Sequence, residues 1–114
     1  LKGNKTNPAV TVWPAMAMSF KLLDHRRTSK YLDALASHRL LSDWGARMLD
    51  WDHELYDPMQ YNMGTVWGFV TGFASWALYN YGRAHAGYDA LWANARSTFY
   101  DALGRNPELQ SGAF

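Results

Sequence analysis

The segment from Ser42 to Asn62 combines aromatic and acidic side chains in a pattern that suits sugar binding. Aromatic rings can stack on the apolar C–H face of a pyranose, while carboxylates accept hydrogen bonds from its hydroxyl groups. Each aromatic residue alone also fits a simpler role, which is to anchor a long loop to the core. The aromatic residues are Trp44, Trp51, Tyr56 and Tyr61, and the acidic residues are Asp43, Asp50, Asp52, Glu54 and Asp57.

Glu108 is the carboxylate that the sequence singles out for catalysis. It follows Pro107, just beyond the point where Gly104 ends the last predicted helix. A carboxylate next to a sugar-binding surface could activate a water molecule. The competing interpretation is a solvated glutamate on a loop.

Residue types exclude several other kinds of chemistry. The 114 residues contain no cysteine, so disulfides, thiol catalysis and thiolate metal sites are ruled out. The acidic run from Asp50 to Glu54 does not fit a calcium loop, because Leu55 and Tyr61 stand where glycine and glutamate are needed. We therefore expect no metal and no cofactor. The net charge of +1, with scattered basic residues, predicts no nucleic-acid partner.

The spacing of apolar residues predicts four helices and hence an all-α fold. The first covers about residues 11–23, and the second is a shorter amphipathic helix that Thr28 can cap. The third extends from Gly64 to Tyr81 without a charged residue and ends at Gly82. The fourth begins at Ala84 and continues to Gly104, with Tyr88, Leu91, Trp92 and Phe99 on one apolar stripe.

A repeated sequence pattern predicts two consecutive αα-hairpins. Thr11-Val12-Trp13 returns as Thr65-Val66-Trp67, and Asp33-Ala34-Leu35 returns as Asp89-Ala90-Leu91. Such hairpins bury their apolar faces only against neighbouring units, which predicts a stack or ring of helical hairpins. With short hairpin turns, one end of the fold would hold the starts of the first and third helices, together with the Ser42–Asn62 segment and the tail from Gly104. We therefore expect Trp67 and Glu108 to be close together.

The uncharged stretch from Pro58 to Gly82 also raises the possibility of a membrane helix. Gly64, Gly68 and Gly72 reproduce the small-residue spacing of membrane helix dimers. The same stretch contains only one leucine, no isoleucine and several amide and hydroxyl side chains, which is poor composition for a membrane span. The sequence therefore predicts no membrane partner.

Three blocks of the sequence resemble bacterial amylo-α-1,6-glucosidases and glycogen-debranching-like glycoside hydrolases, which are six-hairpin (α/α) toroid enzymes. The blocks are residues 43–49, residues 55–58 followed by 61–67, and residues 106–112. Their order matches across most of the chain. The resemblance implies that residues 1–114 form part of an (α/α)6 catalytic domain truncated at both ends, whose partners are a carbohydrate substrate and the rest of its own domain.

The same resemblance implies inverting hydrolysis of an α-glycosidic bond, without a cofactor. Glu108 corresponds to the general base, and the general acid would lie upstream of Leu1, so the chain alone is expected to be inactive. The sequence departs from the family pattern at Asn62, Met63 and Gly68, which leaves the identity of the sugar open. The implied substrate-binding residues are Tyr61, Asn62 and Trp67 beside the scissile bond, with Trp44 and Arg47 on the neighbouring loop.

A second hypothesis is a non-catalytic helical module that uses the same aromatic surface to bind a glycan or a peptide. It needs no general acid, whereas the enzyme does. The expected compartment is the cytoplasm, with the periplasm as the alternative.

Overall fold

The computed structural model describes residue 3, residues 6–100 and residues 103–113, and this part of the chain contains four helices and four short strands. The elements are, in chain order, α1 (Pro14–Ser19), α2 (Ser29–Leu35), β1 (Leu41–Ser42), β2 (Gly45–Ala46), β3 (Val66–Trp67), α3 (Gly68–Asn80), α4 (Ala84–Tyr100) and β4 (Leu109–Gln110). The predicted continuation of the last helix toward Gly104 includes residues 101 and 102, which lie outside the described residues.

The prediction of an all-α fold is wrong, because the chain is mixed α/β. Strands β1 and β2 form an antiparallel hairpin in which Leu41 faces Ala46. Strands β3 and β4 form a second antiparallel pair, with Val66 opposite Gln110 and Trp67 opposite Leu109. Strands of two residues are too short to show the alternation by which a strand is recognised in a sequence.

The Ser42–Asn62 segment is therefore not a single loop, because its first part is built into the interior. Residues 45–50 are buried without interruption. Their backbone bonds on two sides: Met48 N donates to the Thr65 carbonyl at 3.1 Å, and Asp50 N donates to the Val10 carbonyl at 3.0 Å. A segment that is buried on both faces shows no alternating pattern, which explains why the sequence resembled a loop.

The predicted pair of equivalent hairpins is also wrong. Helix α1 is six residues long instead of covering residues 11–23. The chain leaves this helix through Lys21, whose φ of 57° is left-handed. Helix α1 then packs along α3 instead of forming a hairpin with α2. Helices α3 and α4 do pack against each other, so only the second predicted hairpin is present, and the arrangement is not part of a toroid.

Small residues allow the helices to approach closely in the core. On α4 the buried residues are Gly87, Ala90, Ala93 and Ser97. The large residues of its predicted apolar stripe are exposed instead. Gly87 lies so close to α3 that an added Cβ would be 3.0 Å from the Tyr79 ring. The packing surface of α4 is therefore its small-residue face, because that face permits the closer contact.

None of the described helices has both the length and the hydropathy that a membrane span requires.

Tyr31 makes the stability of the fold dependent on pH. Its hydroxyl donates to the Val12 carbonyl at 3.1 Å, and burial raises the pKa of this phenol far above its usual value near 10. The unfolded chain therefore ionises Tyr31 first, so this contribution to stability is complete below about pH 10 and is lost as the pH rises further.

Above pH 10, ionisation of Tyr31 should lower the free energy of unfolding of the wild type by up to about 1.4 kcal/mol per pH unit. We expect Tyr31→Phe to lack this part of the loss. At pH 7 the variant should lose only about 0.5–1.5 kcal/mol, which is the net value of one hydrogen bond. Urea unfolding at pH 7, 10 and 11 measures both effects. Parallel stability–pH curves for the variant and the wild type would contradict the assignment.

Two glycines provide a matched test of close packing. A Cβ at Gly112 would overlap the carbonyl oxygen of Gly64 and reach 2.7 Å from the Tyr56 hydroxyl, whereas a Cβ at Gly72 inside α3 meets nothing within 4 Å. Gly112→Ala should therefore lower the free energy of unfolding by about 2 kcal/mol or more. Gly72→Ala should raise it by about 0.5–1 kcal/mol, because alanine favours a helix interior. Equal effects of the two substitutions would show that the tail is not packed as described.

Candidate functional site

The pairing of β3 with β4 brings Glu108 next to Trp67. Trp67 is the last residue of β3 and lies opposite Leu109, the first residue of β4. Glu108 immediately precedes β4, and its side chain is exposed. The expected closeness of the tail and the start of the third helix is therefore present, although it arises from strand pairing and not from hairpins of a ring.

Three aromatic side chains and this carboxylate form one surface, which we call the Glu108 rim: Tyr61, Trp67, Phe69 and Glu108. All are exposed except Trp67, which is half-buried and packs against the core. The Tyr61 hydroxyl donates to Glu108 Oε1 at 3.1 Å. The rings of Tyr61 and Trp67 meet edge to face, with centroids 4.4 Å apart. Phe69 continues the row, with its centroid 5.7 Å from that of Trp67. The rim thus combines apolar ring surface with a carboxylate.

A buried hydroxyl group fixes the position of the aromatic pair. Thr65 Oγ1 donates to the Tyr61 carbonyl at 2.6 Å, and Trp67 Nε1 lies 3.1 Å from the same hydroxyl oxygen. Trp67 Nε1 also donates to the Tyr61 carbonyl at 3.2 Å. Because Thr65 is fully buried, these bonds tie the Tyr61 and Trp67 rings to the core.

The environment of Tyr61 keeps its phenol protonated. Partial removal of the hydroxyl from water, its hydrogen bond to Glu108 and the negative charge of that carboxylate all raise the pKa of Tyr61. At neutral pH the protonated phenol therefore donates a hydrogen bond to Glu108 Oε1. This bond orients the carboxylate beside the aromatic rings.

The tail that carries Glu108 packs closely where glycines leave room for it. Asn106 packs on Gly68 at the start of α3, where an added Cβ would be 2.6 Å from the Asn106 side-chain amide. At the other end of the segment, Gly112 N donates to the Pro58 carbonyl at 3.0 Å. Gly68, which departs from the family pattern, therefore leaves room for the residue two positions before Glu108.

Arg47 is buried in the interior and is not part of the rim. Only 4% of its surface is exposed. Its Nη1 donates to the His38 carbonyl at 2.6 Å, and its Nε donates to the Gly112 carbonyl at 2.7 Å and to the Tyr56 hydroxyl at 3.1 Å. None of its described contacts is with Tyr61, Trp67 or Glu108. This geometry is that of a residue that positions the tail, and substrate contact by Arg47 stays a prediction.

The other two predicted substrate-binding residues flank the rim without joining its row of rings. Trp44 lies in the turn of the β1–β2 hairpin, edge-on to Tyr100 at 5.8 Å, and borders a narrow gap beside Asn106 and Pro107. Asn62 is exposed directly after Tyr61, and its backbone N–H donates to Gln60 Oε1 at 3.0 Å.

Sequence reasoning missed Phe69 as a rim residue and overvalued Asp50 as a sugar ligand. Phe69 follows Trp67 by two positions, and its place at an uncharged helix start was the available signal. Asp50 is buried, forms an ion pair with Arg39, and accepts a hydrogen bond from its own loop at Asp52 N, 3.1 Å away. The hydrogen bond and charge of Asp50 raise the pKa of Arg39.

No cluster of histidine and acidic side chains that could bind a metal ion occurs among the described residues. No protein-family model matches the chain, and no curated protein matches it either. Membership of the glycosidase family that the sequence resembles therefore stays a prediction.

Replacing Arg47 tests its structural role. Arg47→Met should lower the free energy of unfolding by about 3 kcal/mol, because carbonyl groups of separate segments lose their donor. Arg26→Met, at an exposed position, is the control and should change stability by less than about 0.5 kcal/mol. Chemical denaturation measures both variants. Similar stability of the two variants would contradict the structural role.

Proposed function

We propose that the chain contributes the sugar-binding surface and the general base of a glycoside hydrolase that acts on an α-linked oligosaccharide or glycan. In this proposal Tyr61, Trp67 and Phe69 contact the sugar ring. Glu108 accepts a proton from the water molecule that attacks the anomeric carbon. The products would be formed with inversion of configuration.

One observation carries the proposal, which is the contact of Glu108 with an aromatic pair. Its Oε1 accepts the Tyr61 hydrogen bond at 3.1 Å, and the Tyr61 ring in turn meets Trp67. A sugar stacked on these rings would have its polar edge within reach of the carboxylate. Apolar ring faces beside an oriented carboxylate are the combination that a glycosidase subsite needs.

The mechanism requires a second carboxyl group. In inverting glycosidases the acid and the base are roughly 6.5–9.5 Å apart, so that a water molecule fits between the base and the sugar. In this proposal another part of the protein would supply the acid. The proposal depends on the local geometry of the Glu108 rim and not on a helical toroid, because the described fold is mixed α/β.

The alternative function is a non-catalytic carbohydrate-binding module. The exposure of Glu108 favours it, because an exposed carboxylate is open to the hydroxyl groups of a bound sugar. In a binding module, Glu108 would accept hydrogen bonds from sugar hydroxyl groups without turnover.

Replacing Trp67 tests sugar binding. We expect Trp67→Ala to weaken the binding of maltotriose to the full chain by about tenfold, which corresponds to about 1.4 kcal/mol of lost ring contact. Trp13→Ala is the matched control, because Trp13 is its counterpart in the sequence repeat and is 48% exposed before α1. Isothermal titration measures both affinities. Equal affinities of the two variants would remove Trp67 from the binding site.

Glu108→Gln separates the two functions. The amide keeps the size of the side chain but cannot act as a base, so maltotriose affinity should change little. Turnover should fall by about 10²–10⁴-fold, measured in a polypeptide that also carries the general acid. Unchanged turnover would exclude Glu108 as the base, while absence of turnover in the unmodified protein, with binding intact, would support the binding module.

A further inference from the structure

A second concave surface lies between the end of α2, the β1–β2 hairpin and α4. Its volume is about 470 Å³, and it shares no lining residue with the Glu108 rim. This volume is within the range of ligand-binding clefts. The charged, imidazole and aromatic residues that line this α4 groove are His38, Asp43, Arg47, Asp89, Trp92 and Arg96.

Trp92 provides an accessible aromatic surface in the α4 groove. It is 56% exposed, although it lies in the middle of a helix whose neighbouring positions Ala90 and Ala93 are buried. Asp89 and Arg96 lie three residues before and four residues after it, and therefore on the same side of α4. An indole ring thus lies between an acceptor and a donor of hydrogen bonds.

The charges that line the α4 groove cancel. Asp43 and Asp89 are acidic, while Arg47 and Arg96 are basic. The Arg47 guanidinium already donates to backbone carbonyl groups and to a tyrosine hydroxyl, so it is not available to a ligand anion. A balanced set of charges around an aromatic ring favours an uncharged ligand with many hydroxyl groups over an anion or a cation.

The walls of the groove are held together before a ligand binds. Arg96 Nη2 donates to the Asp43 carbonyl, which ties the hairpin turn to α4. The Arg96 guanidinium also lies over the Trp44 ring, 5.5 Å from its centroid. Pre-organised walls reduce the entropy that binding must overcome.

We propose that the α4 groove is a second carbohydrate site, which binds a short uncharged oligosaccharide with one sugar ring stacked on Trp92. Asp43 and Asp89 accept hydrogen bonds from its hydroxyl groups, and Arg96 donates to its oxygen atoms. The site needs neither Glu108 nor Trp67. A protein with both surfaces engages a glycan at two separate places.

The experiment uses the full chain with Trp67→Ala in the background, so that the Glu108 rim no longer contributes strongly. Titration with maltotriose is followed by NMR chemical shifts. Adding Trp92→Ala should weaken the remaining binding at least tenfold. While Trp92 is intact, maltotriose should cause the largest chemical-shift changes at residues 89–96. Trp76→Ala, a control on α3 that is 50% exposed, should leave the affinity unchanged.

Asp89→Asn provides a second test that leaves the indole intact. The amide removes one charge and should weaken maltotriose binding by less than Trp92→Ala. The proposal is overturned if Trp92→Ala and Trp76→Ala bind maltotriose equally, or if inorganic phosphate or free arginine binds the groove more tightly than maltotriose. These outcomes are independent of the Glu108 rim, which is tested by Trp67→Ala alone.

Discussion

The arrangement of the chain depends on the burial of one guanidinium group. Arg47 is almost fully inside the protein, and it has no carboxylate partner among the described residues. A buried charge is tolerated only when its hydrogen bonds are satisfied, so the carbonyl groups of His38, Leu41 and Gly112 must come together around it. These carbonyls belong to two separate segments, the chain from His38 to Leu41 and the tail. By bonding to Gly112, Arg47 holds the tail near β3, and the tail carries Glu108.

Close backbone contacts complete this arrangement. The tail can approach the turn before β3 because Gly112 has no side chain where it meets the Gly64 carbonyl oxygen. Strand pairing then sets the register in which Trp67 lies opposite Leu109. The buried Thr65 hydroxyl hydrogen-bonds both the Tyr61 carbonyl and the indole N–H of Trp67. The surface of rings and carboxylate is therefore supported by buried polar contacts and not by a ring of helices.

The sequence predicted the elements with long apolar repeats and missed those fixed by tertiary contacts. Helices α3 and α4 follow from the spacing of their apolar residues. The nearness of Trp67 to Glu108 was inferred from a pair of hairpins, whereas it arises from the pairing of β3 with β4. The strands of two residues leave no periodic signal. Arg47 has a charged side chain, so its burial could not be inferred without its carbonyl partners. The buried face of α4 was misjudged because small residues pack more closely than the large apolar ones.

The central claim is that Tyr61, Trp67 and Glu108 form one sugar-binding surface. A crystal structure of the chain soaked with maltotriose tests it most directly. The account predicts a glucose ring stacked on Trp67 or Tyr61, with a hydroxyl group hydrogen-bonded to Glu108 and the bond from Tyr61 to that carboxylate retained or replaced by the sugar. Glu108 remote from Trp67, or sugar bound elsewhere with these rings unoccupied, would contradict it.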